Sequence, residues 1–230
     1  ISAADQGAGR ALINELRMLR RVRHPNIVLF YGACIVPETA ELVLVLEHVR
    51  GGPLGSFIAK TPDGPPAEVR YKLAQDVCRA LTYLHAQTPC IVHGDIKGSN
   101  VLVEEVRAGV NAKFVDFGLS RLIKTNARKL GGTTKWMAPE IMLSTASQLS
   151  ASADVFSLGR LLYEIATGSR PLADMSETSI KEAARDGKPL ALAWPSNGSP
   201  FVEKCRPIIE ACCRFEASTR PNVSQAQEML

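Results

Sequence analysis

Apolar residues at Leu12, Ile13, Leu16, Leu19 and Val22 recur three or four apart and predict an amphipathic helix over 11–22. His24-Pro25-Asn26 ends it, because proline disfavours helical backbone in the residue before it. Two β-prone runs follow, 27–36 and 42–47, with Pro37-Glu38-Thr39 between them as a hairpin turn. Gly51-Gly52-Pro53 and the Pro-Asp-Gly-Pro-Pro run at 62–66 then punctuate the chain, and the first is the better hinge. A long helix over 67–87 carries Val69, Leu73, Val77, Ala80, Leu81 and Leu84 on its apolar face.

Between 91 and 117 the pattern changes to short apolar groups, Ile91-Val92, Val101-Leu102-Val103 and Phe114-Val115, separated by polar, glycine-bearing loops. These predict short strands carrying a functional loop. A basic stretch of little periodicity runs to Lys135. Val155, Leu158, Leu161, Leu162 and Ile165 then mark a helix over 154–166, with Gly168 as its stop. Weaker helical signals lie near 176–186, 200–213 and 222–230, and no internal repeat is present. Strands with one helix, then mostly helices, predict an α+β fold of two unequal lobes with a cleft between them.

Composition narrows the function classes without choosing one. The 230 residues are 46% hydrophobic and 22% charged, enough for a sizeable core and inconsistent with wholesale disorder. The net charge of +4 names no partner, and the Arg17, Arg20, Arg21, Arg23 cluster reads as a solvated helix face, so no nucleic-acid partner is expected. No apolar run reaches the length of about 18 residues that a membrane span requires. The six cysteines lack a CxxC pair and read as reduced thiols of an intracellular, cytoplasmic protein; Cys90 and His93 alone make no zinc site.

The chemistry concentrates in His93-Gly94-Asp95-Ile96-Lys97-Gly98-Ser99-Asn100, followed one apolar run later by Asp116-Phe117-Gly118. Oxygen ligands such as Asn100 and Asp116 suit Mg²⁺, which commonly takes one or two carboxylates plus substrate phosphates. A carboxylate beside the metal, Asp95, can accept a hydroxyl proton. A lysine, Lys97, can balance charge on a transferred phosphoryl group. Spacing alone therefore points to metal-assisted phosphoryl transfer, and a solvated polar loop is the alternative.

These segments, with Gly132-Thr133-Thr134-Lys135-Trp136-Met137-Ala138-Pro139-Glu140 after them, resemble in order the H-R-D…N, D-F-G and A-P-E signatures of the eukaryotic protein kinase family. Glu15 in ALINELRML, the HPNIV at 24–28, the SADVFSLG at 152–159 and Thr219-Arg220-Pro221 are similar to further family segments, so the resemblance covers the whole chain. Lys97 and the GTTKWMAPE run resemble serine/threonine kinases, in particular the tyrosine-kinase-like group.

That resemblance implies a bilobal kinase domain over 1–230. The partial small lobe is 1–47, the hinge 48–52 and the mainly helical large lobe 53–230. It implies ATP and Mg²⁺ as cofactors and proteins bearing Ser/Thr hydroxyls as substrates. Asp95 corresponds to the catalytic base, Lys97 lies by the γ-phosphate, and Asn100 and Asp116 hold Mg²⁺. Thr133 resembles the threonine that hydrogen-bonds the catalytic Asp and Lys. Leu102 would lie under the adenine, Glu47 to Val49 would meet its edge, and Leu46 would be the gatekeeper. Glu15 takes the place of the helix glutamate. His93 organises its loop, Glu140 pairs with Arg220, and Asp154 caps a helix and ties down the catalytic loop. Cys212 and Cys213 pack in the core.

Three departures qualify the resemblance. No glycine-rich phosphate loop is present, since Gly7-Ala8-Gly9 follows no strand. No lysine precedes Lys60, although the pattern places one about fifteen residues before the helix glutamate, at or before Ile1. Both absences, with the non-Met start, are expected of an N-terminally truncated domain whose isolated form lacks useful activity. Gly94 stands where the family has arginine, so activation is expected not to require loop phosphorylation, although Thr125, Thr133 and Thr134 lie among basic residues. A pseudokinase, a binding or scaffold module on the same fold, is the rival reading.

Overall fold

A computed structural model of the chain describes residues 16, 19–39, 41–107, 109–116, 133–143, 149–196 and 198–230. The two β-prone runs form an antiparallel hairpin, β1 (Phe30–Ile35) with β2 (Leu42–Leu46), whose register shifts between Phe30 and Gly32. Four of its large apolar side chains, Tyr31, Ile35, Val43 and Val45, are exposed to solvent.

A second antiparallel sheet orders as β3-β4-β5, from β3 (Gly51–Pro53), β4 (Val101–Val106) and β5 (Gly109–Phe114). The Gly51-Gly52-Pro53 punctuation thus lies in a short strand paired with Glu104, Val103 and Leu102. A Cβ on Gly51 would overlap the Val103 carbonyl, so the close pairing needs glycine there. The predicted strand at Ile91-Val92 does not form. The Ile91 N–H donates to the Leu84 carbonyl at 3.1 Å, and side chains capture the N–H groups that follow: Asp154 takes those of His93 and Gly94, and His93 Nδ1 takes that of Asp95.

The remainder is helical. In chain order come α1 (Leu54–Ile58), α2 (Ala67–His85), α3 (Pro139–Leu143), α4 (Ala151–Thr167), α5 (Glu177–Arg185), α6 (Pro200–Cys212) and α7 (Val223–Met229). Local chemistry sets their ends. Ser150, Ser176 and Ser199 accept hydrogen bonds from N–H groups in the first turns of α4, α5 and α6, and Asn222 with Gln225 closes a capping box on α7. Gly168 stops α4 in the left-handed conformation, φ 75°. The N-cap of α4 is Ser150, so the capping role expected of Asp154 is not its role; Asp154 lies within the first turn, with its side chain turned to the loop at 93–94.

The core gathers around α4, which is buried on almost every side and packs on α2 and α6 through Leu73, Leu81, Leu158, Leu161, Ile165 and Ile208. Each such side chain contributes about 1.5–3 kcal/mol by leaving water. The hairpin meets this body along β5. Ile27 bridges Phe114 in parallel; Val28 donates to the Phe114 carbonyl, and Phe114 to that of Asn26, each at 2.9 Å. Asn26 Nδ2 also donates to Asn111 Oδ1 and the Ala112 carbonyl, both at 2.9 Å.

Candidate active site

The loop from His93 to Asn100 is built from below. Asp154, 1% exposed on α4, accepts from the His93 and Gly94 N–H groups at 2.7 and 2.8 Å and contacts His85 Nε2 of α2 at 2.9 Å. One carboxylate thereby fixes the start of the loop to two helices. His93 is fully buried, edge-on to Phe114 with ring centres 5.0 Å apart, and its Nδ1 accepts from the Asp95 N–H at 3.3 Å. Burial pushes the imidazole below its usual range, outweighing the pull of Asp154, Asp95 and Asp116. A neutral ring that receives the Asp95 amide orients its loop.

Gly94 turns the chain at φ +75°, a conformation that suits glycine. Asp95 follows, and two side chains converge on its carboxylate: Lys97 Nζ at 2.9 Å and Asn100 Nδ2 at 3.2 Å. Asn100 Nδ2 also donates to the Asp95 carbonyl at 2.8 Å. A single 3₁₀ turn, Gly98–Asn100, makes this geometry possible by folding Asn100 back over the residues before it. The Val115 N–H then donates to the Asn100 carbonyl at 2.9 Å, which brings Asp116, exposed and at φ 59°, next to the loop.

Asp95, Lys97, Asn100 and Asp116 therefore share one end of the β4–β5 hairpin. Among the described residues no group of three or more His, Cys, Asp or Glu side chains could hold a metal by itself. An amide oxygen and a carboxylate, Asn100 and Asp116, are instead a donor set that fits Mg²⁺ completed by phosphate oxygens.

The other expected positions lie along the hairpin and the strands. Leu46 is half-buried at the end of β2, Val49 is buried, and Leu102 stands half-exposed on β4 opposite Lys113. The Glu47 N–H donates to the Leu29 carbonyl at 2.8 Å, and the Val49 carbonyl accepts from Gly51 at 3.0 Å. The Glu47 carboxylate accepts from the Leu29 N–H at 3.1 Å and from Lys113 Nζ. Burial alone would raise its pKa, but Lys113 and the Leu29 N–H hold it below the usual range. Glu140 and Arg220 form a two-pronged pair at 2.6 and 2.8 Å. Cys212 is buried in the core, where burial pushes its thiol up to about 12. Glu15, Phe117, Gly118, Thr125 and the side chain of Thr133 lie outside the described residues.

Sequence reasoning missed two residues of this region. Lys113 joins β5 to Glu47, and an isolated lysine on a strand carries no signal. Glu164, on α4, is 4% exposed beneath the loop; a Cβ on Gly98 would meet its carboxylate oxygens at 2.6 and 2.7 Å. Burial pushes the Glu164 carboxyl up to about 7, against the lowering influence of Arg170, Trp136 and the Gly98 N–H. Nothing in the order of residues marks it, because it meets Gly98 only through folding.

A family model described as a protein kinase domain matches residues 2–230. Serine/threonine-protein kinase CTR1 of Arabidopsis thaliana is 34% identical over 223 residues, 95% of this chain and 26% of that protein. Dual specificity protein kinase shkC of Dictyostelium discoideum is 32% identical over 226 residues, 96% of this chain and 43% of that protein. Mitogen-activated protein kinase kinase kinase 10 of Mus musculus is 34% identical over 224 residues, 94% of this chain and 23% of that protein. The chain thus spans less than half the length of each of these relatives.

Proposed function

The chain belongs to the protein kinase domain family, on its serine/threonine, tyrosine-kinase-like side, and from that premise we propose that the protein carrying it transfers the γ-phosphoryl group of ATP to Ser or Thr hydroxyls of other proteins in a signalling role. The observation that carries this reading is the convergence of Lys97 and Asn100 on the Asp95 carboxylate. Asp95 accepts the proton of the substrate hydroxyl as that oxygen bonds to the γ-phosphorus of ATP, while the bond from that phosphorus to the β–γ bridging oxygen breaks and ADP leaves. Lys97, 2.9 Å from Asp95, keeps the carboxylate oriented and places a positive charge where negative charge grows. Asn100 and Asp116 would hold Mg²⁺, which with ATP supplies the transferable group and offsets its charge. In this reading Leu46 and Leu102 flank the adenine and Glu47 to Val49 meet its edge. The Glu47 N–H and the Val49 carbonyl already have internal partners, which leaves the Glu47 carbonyl and the Val49 N–H as the backbone groups for that contact. In the same reading the lobes divide at 48–52.

The test is phosphate transfer by the full-length protein from Mg·ATP to a protein substrate rich in Ser and Thr. Asp95→Asn should lower kcat at least about a hundredfold, the lower end of what a positioned base contributes. Equal turnover by the two proteins would remove Asp95 from the reaction. One observation favours the second reading, a binding or scaffold module: Gly94, which brings no cation to the loop. A Mg·ATP thermal shift that is the same in Asp116→Asn as in the parent would support that module over an enzyme.

A further inference from the structure

Two buried arginines share the ring of Phe156 on α4. Arg220 lies over it at 5.0 Å and Arg160 at 5.2 Å from the ring centre. Arg220 has the Glu140 carboxylate on both terminal nitrogens. Among the described residues no acid pairs with Arg160. It is 3% exposed, its one hydrogen bond among these residues runs from Nη2 to the Leu190 carbonyl at 3.4 Å, and its buried Nε and Nη1 find no hydrogen-bond partner there. A guanidinium stays charged at any physiological pH, and an unpaired buried charge is strongly unfavourable.

Arg160 lines a half-open cleft of about 390 Å³, mouth included, between α4, α5 and the segment that leads into α3. Thr134, Phe156, Lys188 and Leu190 share its wall. Among the described residues, the acids that reach the lining are engaged: Glu177 accepts from Thr134 and pairs with Lys181, and Asp186 pairs with Lys188. The Lys188 side chain is mostly solvent-exposed, which puts a second cation at the rim. Apolar walls raise the strength of any charge interaction inside the cleft.

We propose that this cleft binds a small oxyanion, a phosphate or carboxylate group, with Arg160 as its buried cation and Lys188 as the cation at the rim. The planar N–H edges of a guanidinium match paired oxygens at hydrogen-bond spacing, which a halide does not offer. The anion supplies the counter-charge that Glu140 supplies to Arg220. It also links α4 to the Thr134 segment, so its occupancy stiffens that junction. None of these residues belongs to the 93–100 loop, and the site stands whether or not the protein transfers phosphate.

The test compares the full-length protein with Arg160→Met, which keeps the apolar stem and removes the charge. Each is unfolded in urea with inorganic phosphate, acetate or chloride at equal ionic strength. An anion at ten times its Kd lowers the unfolding constant about elevenfold. The parent should show a drop of this size in phosphate or acetate over chloride, and the variant less than a twofold change. Whichever anion produces the drop identifies the group. A phosphoserine peptide that acts at tenfold lower concentration than inorganic phosphate would assign the group to a protein; parity would assign a free anion. The same response in parent and variant, or no response above chloride, overturns the proposal. Should Arg160→Met fail to fold, the ¹⁵N resonance of the Arg160 Nε–H in the parent decides: it moves saturably with phosphate if the site exists, and stays in place if it does not.

Discussion

Arg220 spends its whole guanidinium. Nε donates to the Arg214 carbonyl, Nη1 to Glu140 and the Ser152 carbonyl, and Nη2 to Glu140 and the Phe215 carbonyl. Lysine offers three donors from one point and cannot reproduce that fork. Arg220→Lys should therefore cost about 3 kcal/mol, in the range for a broken buried pair. The check is a lower urea midpoint with an unchanged slope; a loss below about 1 kcal/mol would mean that the fork is replaceable. At this scale the sequence exposes only part of the site. Asp95, Lys97 and Asn100 sit within one short loop, so their order alone groups them. Glu164 and Arg160 lie one turn apart on a helix that otherwise reads as core. What distinguishes them is burial beside segments far along the chain, and no local pattern encodes that.

Elements meet where glycine lets them. Gly159 sits where α4 crosses the end of α6: an added Cβ would stand 2.7 Å from Cys213 Sγ, 2.8 Å from Cys212 Cβ and 3.2 Å from the Ile209 carbonyl. Alanine is the better helix former by up to about 1 kcal/mol. Here overpacking should outweigh that gain, so Gly159→Ala should destabilise by about 1–2 kcal/mol net. Chemical unfolding of the variant measures it, and a stabilised protein would show that α6 moves aside freely. The helices were legible through their apolar period, and α4 through its Gly168 stop as well; the start of α4 was not, because Ser150 rather than the expected Asp154 caps it. The loop start at 91–94 was not, because its apolar residues resemble a strand while its N–H groups are committed to Asp154 on another element. Gly51-Gly52-Pro53 reads as a break in the sequence and also pairs as a short strand at the edge of a sheet, where two glycines and a proline are tolerated.

For the molecule as a whole, two buried groups oppose each other in pH. Glu164 has its folded-state pKa raised from 4.5 to about 7, so it contributes stability that is fully present below pH 4.5 and is lost as pH rises through about 7. That loss amounts to about 3 kcal/mol for a shift of this size. His93, held below its ordinary 6.5 by burial, contributes stability that is lost as pH falls below that value. Glu164→Gln should abolish the decline between pH 4.5 and 7 and leave the His93 limb in place, as read by urea unfolding at a series of pH values. An unchanged decline in the variant would place its origin elsewhere. The Asp154 carboxylate has a consequence of another kind. It is held by α2 through His85, belongs to α4, and carries the start of the 93–100 loop. A chain warmed toward its melting point has no way to slacken that loop first, because the loop's footing is the same pair of helices that form the floor of the domain. Heat will take the loop and the helices in a single step, so the survival of the loop's chemistry on warming is a thermometer for the entire fold.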